Sequence, residues 1–186
     1  MEENELRAVT IGELTPHATT IVIDDYNPAW PSWFEWDRAR IEAALGETAM
    51  SVEHTGSTSV PGLPAKPIID ILLQVPDTAD EPSYVPALEA AGYVLRIREP
   101  NWYEHRMFHR RAEPHDVNLH VFSTKHAAEE MTRVLRFRDW LRTHEEDKKL
   151  YAATKRELST REWRYVQDYA EAKTTVITQI LTRALA

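Results

Sequence analysis

The spacing of apolar positions divides the chain near His126 into a strand-rich front and a helical rear. Residues 67–75 (PIIDILLQV) are apolar at nearly every position, as an interior strand covered on both faces requires. Residues 21–23 and 49–54 read as short strands before it, and 93–97, 105–110 and 117–122 alternate well enough for strands after it. Ser32-Trp33-Phe34-Glu35 has the spelling of a capping box. The helix it opens is expected to bury Phe34, Ile41, Ala44 and Leu45 and to stop at Gly46. A second helix is expected over about residues 82–91. In the rear part Met131, Val134, Leu135 and Leu141 form one apolar stripe among charges. The capping-box spelling recurs at Thr143 with Glu146 and at Ser159 with Glu162, which predicts three helices there.

Residues 1–20 show no period and are expected to form a frayed or loosely docked arm, leaving 21–186 as a single domain. The order of elements predicts an α+β (mixed α/β) fold, a mixed sheet flanked by helices with a C-terminal helical tail.

Composition narrows the function classes. With 186 residues, 42% hydrophobic and 28% charged, the chain suits one globular domain with a sizeable core. It has no cysteine, which excludes a disulfide framework and a thiolate metal site. No apolar run approaches the roughly 20 residues a membrane helix needs, and the acidic Met1-Glu2-Glu3-Asn4-Glu5 lacks the order of a signal peptide. A cytoplasmic location is therefore expected. The net charge of −8 argues against binding duplex nucleic acid. That charge is uneven, −10 over residues 1–125 and +2 over 126–186, so a basic rear part can face an acidic front part across a cleft. Mixed charge on long surface helices accounts for the same figures. Oligomeric state is not written in the sequence.

The chemistry concentrates between Glu53 and Asp70. Gly56-Ser57-Thr58 follows a predicted strand, where a glycine lets backbone approach a ligand and hydroxyl and N–H groups can meet phosphate. Asp70 lies inside a strand that reads as buried, so its carboxylate must be paired, hydrogen-bonded, metal-bound or protonated. Either it is a metal ligand or general base, or it pairs with Lys66 or an arginine to fix the sheet. His54 and His120 are read as ligands beside Asp70 or as satisfied histidines lining a cleft, since imidazole and carboxylate together suit Mn²⁺ or Zn²⁺. Glu53 should point away from His54 and serve as a structural partner. Arg106, Arg110 and Arg111 have the chemistry to grip phosphate, or simply keep a strand soluble. Tyr151 with Lys155, and Tyr169 with Lys173, are four residues apart and share a helix face. Each pair either closes over a nucleotide or packs with a snorkelling amine.

These residues resemble the GrpB-like family from about Ile21 to Ala184. The resemblance is carried by Tyr26-Asn27-Pro28-Ala29-Trp30-Pro31, His54-Thr55-Gly56-Ser57-Thr58, Lys66-Pro67-Ile68-Ile69-Asp70, Leu119-His120-Val121 and Phe137-Arg138-Asp139-Trp140-Leu141-Arg142, followed by the two Tyr/Lys pairs. It implies a fold like the DNA polymerase beta-type nucleotidyltransferases, in which a Gly-Ser loop precedes an acidic strand. It further implies a nucleotide or other phosphate-bearing ligand held by Gly56, Ser57, Thr58, Lys66, Arg106, Lys155 and Lys173. Asp70 would then be the catalytic carboxylate, with a divalent metal, Mg²⁺ or Mn²⁺, on Asp70, His120 and His54. Active members of that superfamily place two carboxylates at alternate strand positions and a third on a neighbouring strand. This chain instead has Asp70-Ile71-Leu72 and Asn118-Leu119-His120. Two functions follow from the resemblance: transfer of a nucleotidyl group, or a catalytically degenerate nucleotide-binding or accessory module, as in relatives fused to a dephospho-CoA kinase. The chain lacks the G-x-x-x-x-G-K-[ST] phosphate loop of such a kinase.

Overall fold

The computed structural model describes residues 3–14 and 21–184. Five strands form one mixed sheet: β1 (Ser51–Thr55), β2 (Ile68–Gln74), β3 (Val94–Glu99), β4 (His105–Ala112) and β5 (His115–Phe122). Their order is β1-β2-β5-β4-β3, with β2 and β5 parallel and the other neighbours antiparallel. The expectation for residues 67–75 holds: β2 is interior, paired on both edges, and Ile69, Ile71 and Leu73 are fully buried.

Among the described residues seven α-helices accompany the sheet: α1 (Glu3–Val9), α2 (Trp30–Leu45), α3 (Val85–Ala90), α4 (Thr124–Thr143), α5 (Glu145–Ser159), α6 (Val166–Ala172) and α7 (Thr174–Ala184). Helices α2 and α3 cover one face. There Trp30, Phe34, Ile41, Tyr84 and Leu88 meet Ile69, Ile71, Leu73, Phe108, Val117 and Leu119 in the main core. The opposite face carries Leu72 and Phe122, packed beneath Ala127 and Met131 of α4. The loop after β1 is clamped to the helical rear, with Val60 and Leu63 buried against Leu141, Tyr151, Val176 and Ile180.

Several local signals were misleading. Helix α2 begins at Trp30 with Pro31 in its first turn, and its entry is fixed by Asn27, whose Oδ1 accepts the Ala29 N–H at 2.9 Å. Ser32 therefore lies inside the helix. Ser159 ends α5, while the following helix starts after Tyr165, whose N–H donates to Asp168. The rear part holds four helices instead of three, because the backbone turns at Lys173 between α6 and α7. Residues 21–23 do not form a strand; the contact nearby is a single bridge from Asp24 to Ala65. In the N-terminal arm α1 buries Leu6, and Thr10 bridges to Ile97 of β3; residues 15–20 lie outside the described residues.

Candidate functional site

The face of the sheet turned towards α4 and α6 holds a cleft of about 410 Å³. Its floor is Asp70 and Leu72 of β2 with Asn118, His120 and Phe122 of β5, neighbours by parallel register. One wall is the Gly56-Ser57-Thr58 loop, and Lys66, Lys155, Tyr169 and Lys173 close one end. Trp102, Glu130 and Val134 line the rest.

Asp70 sits where the loop folds onto the strand. Gly56 has φ +64°, and a Cβ placed on it would lie 2.3 Å from Asp70 Oδ2, so glycine alone fits this approach. Asn118 Nδ2 donates to Asp70 Oδ1 at 3.1 Å, while Asn118 Oδ1 accepts from Arg111 at 2.9 Å. Arg111 is thus a tether for Asn118 rather than a free solubilising charge. Burial raises the Asp70 pKa, and the bond from Asn118 with the charges of Lys173, Lys66 and Arg111 only partly opposes this. No ion pair to Lys66 forms within the described residues; the two interact through space.

The three lysines differ. Lys155 is 2% exposed, donates to Ser57 Oγ at 2.8 Å and to the Pro64 carbonyl, and lies 4.8 Å from the centre of the Tyr151 ring. Burial, with Lys173 nearby, brings its pKa down to about 7. Lys173 lies 4.6 Å from the Tyr169 ring centre, and burial lowers the pKa of both Lys173 and Lys66. One buried and two half-buried lysines around a single carboxylate leave a local excess of positive charge. An anion entering the cleft would relieve it.

Two expected site residues lie elsewhere. Thr55, not His54, stands opposite Asp70 in the β1–β2 register, so His54 points through the sheet to the other face. There it stacks on Phe34 at 4.8 Å and bonds Thr58 Oγ1 at 3.0 Å, and burial lowers its pKa to about 3. It is not brought to Asp70. Arg106 pairs with Val121, on the core side, and its guanidinium is held by Glu81 at 2.6 Å and Glu104 at 3.2 Å. Arg110 likewise serves Asp37. Glu53 is the structural partner expected, accepting from Arg138 at 2.7 Å.

His120 does face the cleft, and the structure adds partners that the sequence did not announce. Its Nδ1 is 3.0 Å from His105 Nε2, and His105 Nδ1 is 2.6 Å from Glu99 Oε2. Burial and His105 bring the His120 pKa down to about 3, so the ring is neutral near pH 7. The pairing of β3 with β4 sets Glu99 beside His105, and that of β4 with β5 brings His105 to His120; no spacing in the chain signals the second. Among the described residues, no three His, Asp or Glu side chains form a group able to hold a metal. The donor set does not fit a two-metal clamp: one carboxylate, one imidazole on the neighbouring strand and three nearby lysines.

An interior strand bearing a single carboxylate, a Gly-Ser loop folded onto it and a lysine-bearing helical cover define an α+β domain consistent with the nucleotidyltransferase-type fold. Within that class the chain belongs to the GrpB family, whose model (GrpB protein) matches residues 20–183. A UPF0157 protein of Halalkalibacterium halodurans is 54% identical over 99% of this chain and 92% of its own length. Another from Streptomyces coelicolor is 44% identical over 91% and 87%. The crystal structure of conserved protein GrpB from Enterococcus faecalis superposes with a TM-score of 0.77 at 29% identity, covering 88% of this chain and 97% of that one. A dephospho-CoA kinase of Mycolicibacterium paratuberculosis is 29% identical over 73% of this chain, a match spanning 39% of that protein. No helix among the described residues is long and apolar enough to cross a membrane.

Proposed function

We propose that this protein binds a nucleotide, or a related phosphate-bearing small molecule, in the cleft between the sheet and the helical rear, without the two-metal chemistry of active nucleotidyltransferases. The observation that carries the reading is the convergence of Lys66, Lys155 and Lys173 with the Gly56-Ser57 loop around one incompletely paired carboxylate. Ammonium groups and hydroxyl donors favour phosphate oxygens, while the exposed Trp102 offers a face for a base. The partial likeness to dephospho-CoA kinases supports an accessory role beside phosphorylated metabolites, which also fits a cytoplasmic setting.

The rival reading keeps nucleotidyl transfer, with one divalent ion shared between Asp70, His120 and the ligand's own phosphates. It is favoured by the placement of Asp70 and His120 on the same face of adjacent strands.

A thermal-shift and calorimetric screen of nucleotides, CoA precursors and Mg²⁺ or Mn²⁺ separates the two. The binding reading expects stabilisation by a nucleotide without metal. Lys66→Ala or Lys173→Ala should then weaken binding about tenfold or more, the loss of one charge-assisted contact. Silence from every phosphate-bearing compound would overturn it. Binding that requires a divalent ion and disappears in Asp70→Asn would transfer the case to the rival.

A further inference from the structure

We infer that Ser57 is a nucleophile and Lys155 its general base, so that the cleft can pass a phosphoryl group from a bound phosphate anhydride to the Ser57 hydroxyl. The pair is assembled by the fold across 98 positions of sequence, with Lys155 Nζ 2.8 Å from Ser57 Oγ. That distance is within reach for direct proton transfer. The remaining contacts of Lys155 fix its direction: one N–H goes to the Pro64 carbonyl, and Nζ lies 4.8 Å from the centre of the Tyr151 ring. In the neutral amine the lone pair is then left for the Ser57 O–H.

The charged groups facing Lys155 favour that neutral form. Burial is the largest influence and Lys173 and Arg156 add to it, Asp70 alone opposes them, and together they bring the pKa to about 7. A purely structural lysine tying down a loop gains from keeping its charge; this one holds it only weakly near neutral pH. Tyr151, against Lys155, stays protonated because burial lifts its pKa to about 12, so it does not compete with Lys155 as a base. Ser57 also lies between two spaces. A second chamber of about 190 Å³ shares Gly56, Ser57, Asp70 and Lys173 with the main cleft.

The step balances without a further reagent. Ser57 Oγ bonds to phosphorus as its proton moves to Lys155 Nζ. The bond from phosphorus to the leaving oxygen, on the side of phosphorus away from Oγ, breaks with its electron pair; the leaving phosphate departs as an anion and Lys155 keeps the proton as an ammonium. Lys66 and Lys173 neutralise the charge gathering on the phosphoryl oxygens. Because these lysines hold the donor, the inference rests on the phosphate-binding reading. Its test does not, since a small uncharged fluorophosphonate needs no phosphate subsite.

The experiment treats the full chain with a fluorophosphonate from pH 5 to 9 and locates the adduct by peptide mass spectrometry. We expect one adduct at Ser57, a rate rising through a midpoint near the Lys155 pKa of about 7, and no adduct there in Ser57→Ala. Lys155→Met, which fills the same space without an amine, should slow labelling by about 10²-fold or more, the size of a general-base contribution. If that variant does not fold, the wild-type pH profile, set against the Lys155 side-chain titration followed by carbon NMR, decides alone. An adduct absent from Ser57, equally fast in Lys155→Met, or formed at a rate that ignores the Lys155 titration, overturns the inference. Labelling of Ser57 in a protein that ignores every nucleotide would leave the dyad standing and remove the binding reading instead.

Discussion

Two carboxylates, Asp37 buried and Asp70 half-buried, lie on opposite sides of one sheet, and they have opposite fates. Asp37, on α2, is 1% exposed yet fully served: Arg110 donates to both of its oxygens at 3.0 and 3.1 Å, Tyr93 at 2.6 Å, and His115 Nε2 lies at 2.5 Å. Burial alone would raise its pKa, but these bonds outweigh it and the pKa is lowered. Asp70 has one side-chain bond, from Asn118, and burial prevails, so its pKa is raised. A carboxylate that the fold has neutralised is part of the fold. One left unneutralised beside lysines, at the wall of a cleft, is available to a ligand.

The same substitution at both positions tests this contrast most severely. Asp37→Asn removes the charge that Arg110 needs and should cost about 3–5 kcal/mol, the penalty for stranding one member of a buried ion pair. Asp70→Asn should cost less than about 1 kcal/mol in the absence of ligand, as Asn keeps the size and breaks no ion pair. Urea unfolding of the two variants at pH 7 gives both numbers. An equal loss at the two sites would make Asp70 a structural partner and break the comparison.

Gly56→Ala comes next in size. A side chain at φ +64° is strained, and its Cβ would press on the Asp70 carboxylate, so a loss of about 1–3 kcal/mol is expected. Adding Asp70→Ala should recover part of that loss, a coupling that a double-mutant cycle on melting curves will expose. Strictly additive losses would mean that the loop does not rest on Asp70.

Acid titration of stability gives a smaller effect, but one of opposite sign at the two sites. The folded pKa of Asp37 is depressed, so its contribution is fully present above the ordinary aspartate value of 3.8 and is lost as pH falls through the lower folded value. That of Asp70 is raised, so its contribution is present below 3.8 and is lost as pH climbs through the higher folded value. Relative to wild type, Asp37→Asn should therefore lose its deficit in acid, whereas any gain in Asp70→Asn should appear only above that range. Parallel pH profiles for the two variants would refute the assignment. The smallest effect expected is on affinity: without metal, Asp70→Asn should tighten nucleotide binding a few-fold by removing a repulsive charge, about 1 kcal/mol or less at an effective dielectric near that of the protein surface. Calorimetry reads it, and weakened binding would count against an anion site.

Much of this was legible in the chain. The apolar run around Asp70 could only be an interior strand, and the stripe from Met131 to Leu141 could only be a helix lying on a core. The Gly56-Ser57 loop, Asp70 and the two Tyr/Lys pairs were identifiable because each is a local pattern. Ser32 and Ser159 show the limit of local patterns: the capping-box spelling is present, yet Asn27 begins one helix and Ser159 ends another. A cap depends on where the chain enters the helix, and packing against the sheet sets that.

What the sequence alone determined, then, is the interior strand and most of its neighbours, the family and the presence of one carboxylate where active relatives of the fold carry three. The tertiary structure alone decided which side chains share a cleft. Alternation along a strand places residues on two faces, but the pairing register with the next strand chooses which face meets which partner. One step of register in β1 carries His54 to the core and leaves Thr55 beside Asp70; the pairing of β4 with β5 sends Arg106 to Glu81 and brings His105 to His120. Lys155 reaches Ser57 for the same reason: the helical rear closes over the sheet by burying Val60 and Leu63, and no local spacing encodes that closure.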